Sequence, residues 1–236
     1  MSARLKAIQT HAFDFWLARA SVVVVAALQL LMINKLAVGP RWLAPGLELA
    51  LVIPLSAATA WTQDRVRKAE TDHHWAVVER QRRAIRIVAL VLTALITLLN
   101  SVSLLHLVAA LLGNGAKENG QSLLLDALNL WFTNVIAFAL WFWSIDRGGP
   151  ASRGVARNAV DDFLFPQMTL PKQSADARWS PGFIDYLFLS FTNATAFSPT
   201  DTMPLTRRAK LLMMAQSGIS LLTIALVAAR AVNILN

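Results

Sequence analysis

Phe183-Ile-Asp-Tyr-Leu-Phe-Leu-Ser-Phe191 is a short apolar segment that runs into a polar turn, Thr192-Asn-Ala-Thr-Ala-Phe-Ser-Pro-Thr-Asp201. The segment Thr202-Met-Pro-Leu-Thr-Arg-Arg-Ala-Lys210 and a long apolar stretch follow the turn. A short helix, a turn and a full helix are typical of a re-entrant membrane loop. Backbone that leaves a helix at membrane depth must be buried in protein or line a wet cavity. Residues 183–236 are therefore the first place to look for function.

The composition of the whole chain is that of a membrane protein. Hydrophobic residues make up 56% of it and charged residues 15%, and the mean hydropathy is +0.49. Soluble domains carry about 25% charged residues, so we expect an integral membrane protein. The net charge of +8 comes from basic residues beside apolar spans, which favours anionic lipid over nucleic acid as the partner. The chain has no cysteine, which excludes disulfides and cysteine-based metal sites.

Five stretches are long enough to span a bilayer, which takes about 20 mostly apolar residues. Their approximate bounds are 15–36, 42–61, 85–112, 123–145 and 209–235. Pro54 should kink the second. We predict an all-α polytopic membrane protein with five spanning helices plus a re-entrant, or short sixth spanning, helix. The chain then divides into a four-helix transmembrane region, 1–145, a connecting loop, 146–182, and a pore-loop-like half helix, turn and final helix, 183–236.

The loop between the second and third spans is basic. Basic residues near membrane ends stay in the cytoplasm, so this loop and the N-terminus are predicted to be cytoplasmic, in the plasma (cytoplasmic) membrane. Part of the loop can instead be a solvated helix extension, because Glu79 can pair with neighbouring arginines at helical spacing. The residues that we expect at lipid headgroups are Arg65, Arg67, Lys68, Arg80, Arg82 and Arg83.

Polar residues recur on one face of three predicted spans. They are Thr93, Thr97, Asn100 and Ser103 in the third, Asp126, Asn129 and Thr133 in the fourth, and Gln216, Ser220 and Thr223 in the last. Asn134 lies near the mid-depth of the fourth. One interpretation is hydrogen bonding between helices, at about 0.6 to 2 kcal/mol each. The other is the lining of a pore or cavity. Packing is the simpler interpretation, and the cavity stripe of the last helix stays open.

The order of short helix, threonine-containing turn, Asp201, Pro204-Leu205, Arg207 and long helix resembles the pore module of the potassium-channel superfamily. That family carries Thr-x-Thr-Thr-Val-Gly-Tyr-Gly-Asp at its filter. The resemblance places Gly218 roughly where those channels have a hinge glycine. With the two aspartates aligned, the turn residues at the filter are Thr195, Ala196, Phe197, Ser198, Pro199, Thr200 and Asp201.

The filter itself departs from the potassium-channel pattern. Potassium filters use rings of backbone carbonyls, and their glycines allow the unusual backbone angles. Pro199 instead fixes φ near −65° and has no N–H, so potassium selectivity is not implied. The chain also resembles a family of uncharacterised bacterial membrane proteins with a pore-like C-terminus, through Phe165-Pro166.

Two functions follow from these residues. The first is a homo-oligomeric, weakly selective cation channel, or a non-conducting relative, with monovalent cations as the transported species. The alternative is a non-transporting accessory protein that binds lipid or a partner. No nucleophile–base pair or phosphate-binding glycine loop is present in the sequence, so we expect no enzyme, catalytic residue, cofactor or metal.

Overall fold

The computed structural model describes residues 12–30, 42, 45–46, 48–49, 52, 56, 72–112, 120–149, 160–170, 179–195 and 201–235. These residues are mostly α-helical. They form α1 (Ala12–Leu30), α2 (Asp72–Leu112), α3 (Gly120–Ile145), α4 (Phe183–Thr195) and α5 (Arg207–Leu235). Two short 3-10 turns, Asp146–Gly148 and Pro166–Thr169, lie between α3 and α4. Most of the predicted second span lies outside the described residues.

Three of these helices are long and apolar enough to cross a membrane. The candidate spans within the described residues are Arg83–Ala109 in α2, Ser122–Gly148 around α3, and Arg207–Ala229 in α5. They fall where the apolar runs of the sequence predicted the third, fourth and last spans. Residues 72–84 continue α2 ahead of its apolar part, as the helix-extension interpretation predicts.

The helix α3 is the centre of the fold, because α1, α2, α4 and α5 all pack against it. The larger buried core gathers side chains from all five helices and from the chain between α3 and α4, with Phe138, Phe142, Phe163 and Tyr186 among its largest members. A smaller core joins α2, α3 and α5 near the other end of α3, around Leu107, Leu123 and Leu130. Because four helices contact α3, its candidate span is the most buried of the three.

A two-stranded antiparallel ladder supplements the helices. Strand β1 (Phe163–Leu164) pairs with β2 (Met203–Pro204), with Phe163 opposite Pro204 and Leu164 opposite Met203. Pro204 lacks an N–H, which is tolerated here because the ladder has only two strands and both are edges. The all-α prediction did not include this ladder, and it ties the segment before α4 to the segment before α5.

Candidate functional site

The chain leaves α3 through an unusual backbone turn. Arg147, Gly148 and Gly149 all have positive φ, at 52°, 76° and 86°. The amide of Gly149 donates a 2.8 Å hydrogen bond to the carbonyl oxygen of Asp146. A Cβ on Gly149 would lie 2.8 Å from the carbonyl oxygen of Ser144, so glycine is needed for this close approach. The turn holds the Asp146 side chain inward at the end of α3.

Asp146 is fully buried and serves as an acceptor for three donors. Its Oδ1 accepts hydrogen bonds from the backbone amides of Asp162 at 2.8 Å and Phe163 at 3.3 Å. Its Oδ2 accepts one from the hydroxyl of Tyr186 at 2.5 Å. A buried carboxylate needs such partners to offset its lost hydration. Asp146 therefore fixes both β1 and the first half of α4 at the end of α3.

Asp162 is a second buried hydrogen-bond acceptor, and it fixes the start of α5. Its carboxylate accepts two hydrogen bonds of 2.6 Å from Arg208, in the bidentate arrangement that suits a guanidinium. The Thr206 hydroxyl donates a third at 2.5 Å, and the Leu205 amide donates to the Asp162 carbonyl oxygen at 2.8 Å. Asp162 is fully buried, whereas the Arg208 side chain is 50% exposed. We call this group of Asp146, Asp162, Tyr186, Thr206 and Arg208 the base cluster.

The base cluster places the beginnings of α4 and α5 at the same end of α3. Farther along, the hydroxyl of Ser190 in α4 donates to the carbonyl oxygen of Val135 at 2.6 Å. In α5, Ser220 accepts a 2.9 Å hydrogen bond from Asn134. Both helices thus run antiparallel to α3 and parallel to each other. The end of α4 at Thr195 and the beginning of α5 at Arg207 therefore lie at different levels along α3.

A buried polar network joins α3, α4 and α5 at the level where α4 ends. Gln216 donates from Nε2 to the carbonyl oxygen and hydroxyl of Ser190, at 2.9 and 2.6 Å, and its Oε1 accepts from Asn193 at 2.8 Å. Asn193 also donates to the carbonyl oxygen of Met213 at 3.1 Å. With the contact between Asn134 and Ser220, every helix of this group contributes at least one polar side chain.

The predicted cavity stripe belongs to this network. Gln216, Ser220 and Thr223 are at most 1% exposed in the single chain. Gln216 and Ser220 bond to α3 or α4, while the Thr223 hydroxyl donates to the carbonyl oxygen of Ile219 one turn back in its own helix, at 2.8 Å. These contacts favour the packing interpretation over a stripe that faces water. The polar face of α2 is used similarly, since Asn100 donates to the carbonyl oxygen of Leu130 in α3 at 3.2 Å.

The predicted turn is flanked by described residues. Thr195 is the last residue of α4 and donates to the Thr192 carbonyl oxygen at 3.0 Å, and Asp201 is exposed. Gly218 is exposed on α5, with no atom within 4 Å of a Cβ built on it. The turn residues Phe197, Ser198, Pro199 and Thr200 lie outside the described residues.

Only some of the basic residues predicted at lipid headgroups are among the described residues. Arg80 and Arg83 are exposed on α2, ahead of its apolar part, and Arg82 belongs to the same helical segment. Arg65, Arg67 and Lys68 lie outside the described residues. The three arginines that are described lie where α2 begins its candidate span, a position compatible with lipid headgroups.

Sequence reasoning missed the two aspartates of the base cluster. Both lie in the predicted connecting loop, 146–182, and their partners are distant in the chain. Asp146 and Tyr186 are 40 residues apart, and Asp162 and Arg208 are 46 apart. It also missed Glu48, which is fully buried. The available signal was simple, since Glu48 is an acidic residue inside a predicted span.

The described residues offer no group of three or more His, Asp or Glu side chains that could hold a metal ion. No family model matches the chain, and no curated protein or solved structure matches it either. The function is therefore inferred from the residues and their contacts.

Proposed function

We propose that this chain is a polytopic integral membrane protein of the plasma membrane whose helices α3, α4 and α5 form a pore-like unit. In a homo-oligomer this unit makes a weakly selective cation channel, or a non-conducting relative of one. The supporting observation is that α4 and α5 are parallel and that both begin at the end of α3. A pore loop of the potassium-channel type has this order of helix, half helix, return and helix.

The length of α4 supports a re-entrant helix over a sixth span. Its 13 residues cover about 20 Å at 1.5 Å per residue, which is less than the ~30 Å hydrocarbon core. The hydrogen bond between Tyr186 and Asp146 places the beginning of α4 at the level where α3 ends. A helix of this length then ends part-way along α3, and the returning backbone needs protein or water as its partner.

The residues of the return segment would determine selectivity. Ser198 and Thr200 offer hydroxyls to the narrowest part, and the exposed Asp201 attracts monovalent cations at the mouth. Pro199 prevents a ring of glycine carbonyls of the potassium type. The expected preference is therefore cations over anions, with little discrimination among the cations.

A second function, an accessory membrane protein without transport, is supported by a different observation. Gln216, Ser190 and Asn193 are satisfied by one another within a single chain. Polar side chains bonded in this way join helices and are not free to line a path. In that case the arginines at the start of α2 would bind anionic lipid or a partner protein.

Sidedness tests the proposed topology, and flux distinguishes the two functions. The absence of cysteine in the sequence makes the labelling specific for the introduced positions. Single cysteines are introduced at Ser198, Asp201 and Ala116 and labelled from one side with an impermeant thiol reagent. The topology proposed here, with a cytoplasmic N-terminus and five spans plus a re-entrant helix, predicts that positions 198 and 201 label from the cytoplasmic side and position 116 from the outside. Labelling of all three from one side contradicts that topology.

Flux into liposomes then tests conduction. The channel proposal predicts cation uptake above that of empty liposomes, and a lower uptake with Asp201→Asn. Asp161→Asn is the control, because Asp161 is also an exposed acid but lies before β1. Uptake equal to that of empty liposomes contradicts conduction and leaves the non-conducting relative or the accessory function. A strictly monomeric particle in mild detergent supports the accessory function.

A further inference from the structure

Glu48 is a carboxyl group in the middle of an apolar stretch, and its side chain is 0% exposed. It lies within the second predicted span, residues 42–61. An ionisable residue inside a membrane segment is expensive and, as a rule, marks a binding or transfer site. The proposed function does not use Glu48, so its burial needs a separate explanation.

The side chain of Gln29 faces Glu48 from α1. Gln29 Nε2 donates a 2.9 Å hydrogen bond to Glu48 Oε1. The other two oxygens of the pair, Gln29 Oε1 and Glu48 Oε2, are buried and have no hydrogen-bond partner among the described residues. An ionised carboxylate is only an acceptor, so it cannot pair with the amide oxygen of Gln29. Two buried acceptors would then remain unsatisfied, which is unfavourable.

Protonation of Glu48 would satisfy both buried oxygens. When Glu48 Oε2 carries a hydrogen, it becomes a donor and can bond to Gln29 Oε1. The carboxylic acid and the amide then form a closed pair, with one N–H donor and one O–H donor between the same two side chains. The proton comes from water, and the charge of Glu48 changes from −1 to 0.

Among the described residues, no cation is paired with Glu48 to stabilise the carboxylate instead. Within the described structure, Glu48 forms no hydrogen bond or ion pair with the titratable residues of α1 and α3, which are Asp14, Arg19 and Asp126, or with Arg86 and His106 of α2. Arg19 is ten residues before Gln29, about 15 Å along α1. Gln29 is thus the polar contact of Glu48 within the described chain.

The pair lies well inside the helical bundle. The residue before Gln29, Leu28, accepts a hydrogen bond at its carbonyl oxygen from the side chain of Asn129 in α3. Asn129 is about 14 Å from the first residue of α3 and about 24 Å from its last, at 1.5 Å per residue. Water has little access at such a depth in a bilayer, so an uncompensated charge there is disfavoured.

We propose that Glu48 and Gln29 form a proton-binding site within the membrane region. Glu48 holds the proton, and two hydrogen bonds then join α1 to the segment around Glu48. Loss of the proton breaks one of these bonds and introduces a buried charge. This site is independent of the pore proposal and stands whether or not the chain conducts ions.

Infrared spectroscopy tests the site directly, because the whole chain has only four glutamates, Glu48, Glu70, Glu79 and Glu118. The protein is produced with glutamate labelled with ¹³C at the side-chain carboxyl, and the C=O stretch of protonated carboxyl groups is recorded at neutral pH. We expect a label-sensitive band that is lost in Glu48→Gln. The triple variant Glu70→Gln, Glu79→Gln, Glu118→Gln should keep the band. Because this variant retains Glu48, it still tests the assignment if Glu48→Gln fails to fold.

Three results of the infrared measurement without added salt would overturn the proposal. They are the absence of a label-sensitive band in the wild type, its persistence in Glu48→Gln, and its loss in the triple variant. Loss of the band on adding sodium or potassium at constant pH and ionic strength would likewise overturn it, since the oxygens would then bind a metal cation.

The melting temperature provides a second readout. A glutamine at position 48 can donate to Gln29 Oε1 and accept from Gln29 Nε2, so Glu48→Gln should keep the closed pair at every pH. The wild type should lose stability, relative to this variant, as the pH rises through the titration of Glu48. Identical pH profiles of the two melting temperatures would contradict the proposal.

Discussion

The hydroxyl of Tyr186 donates a 2.5 Å hydrogen bond to Oδ2 of Asp146, and both side chains are fully buried. Tyr186 lies in the first turn of α4, and Asp146 is the residue after α3. The contact places the beginning of the half helix beside the end of the central helix. Together with the parallel direction of α5, it places the beginnings of α4 and α5 at the same end of α3.

Tyr186→Phe removes this hydroxyl while keeping the ring contacts with Phe163 and Phe165. Asp146 Oδ2 then loses its donor inside the core, and we expect the free energy of unfolding to fall by about 1–3 kcal/mol. Thermal unfolding in mild detergent measures the change. Phe188→Leu is the control on the exposed side of α4, and a melting temperature of Tyr186→Phe equal to that of the wild type would refute this role.

Arg208→Gln breaks the bidentate pair with the buried Asp162. The loss should be smaller than the 3–5 kcal/mol of a fully buried pair, because Arg208 is half exposed; we expect about 1–3 kcal/mol. Arg207→Gln, an equal change of charge at the exposed neighbouring residue, should have little effect on the melting temperature. Similar losses in both variants would mean that general charge, and not this pair, stabilises the start of α5.

Gln216→Met separates the packing and cavity interpretations of α5. The variant has a similar volume but cannot bond to Ser190 or Asn193, and we expect it to lower the free energy of unfolding by about 1–3 kcal/mol. Met214→Leu on the exposed face is its control. Unchanged stability together with altered cation flux would favour the cavity instead.

Substitution by alanine should have opposite effects on stability at two glycines. Gly149 has φ of 86° and a Cβ there would meet the Ser144 carbonyl oxygen at 2.8 Å, so Gly149→Ala should lower the melting temperature. Gly218 is within α5 with open space around it, so Gly218→Ala should stabilise the helix by up to about 1 kcal/mol. A drop in stability for Gly218→Ala would indicate that this position needs glycine for another contact, such as a neighbouring copy of the chain.

Much of the helical layout could be predicted from sequence because its signals are local. The apolar runs behind α2, α3 and α5 are continuous in sequence, and the polar residues after Phe191 mark where the short apolar segment stops. Helix ends differed from the predicted bounds by a few residues, except that α2 begins 13 residues earlier. That extension is polar, so hydropathy carries no signal for it.

The candidate sites could be predicted only in part. Asn100, Asn134 and Gln216 were recognised as polar residues within spans, but their partners depend on how the helices pack. Glu48 and Gln29 are 19 residues apart, and neither stands out by a motif. Whether a polar residue lines a path or bonds to a neighbour depends on the arrangement of three helices, which periodicity in one helix cannot specify.

The amino-acid sequence by itself determined the apolar composition of this protein, its long apolar helices, three of which could cross a membrane, and the short helix before the last one. Hydrophobic burial and backbone hydrogen bonding within a helix depend on residues close together in the chain, and these are visible in composition and spacing. The tertiary structure alone decided that α4 and α5 are parallel and that Asp146 and Asp162 anchor their starts. It also decided that Gln29 meets Glu48, because a buried carboxyl group must find its donors wherever the fold brings them.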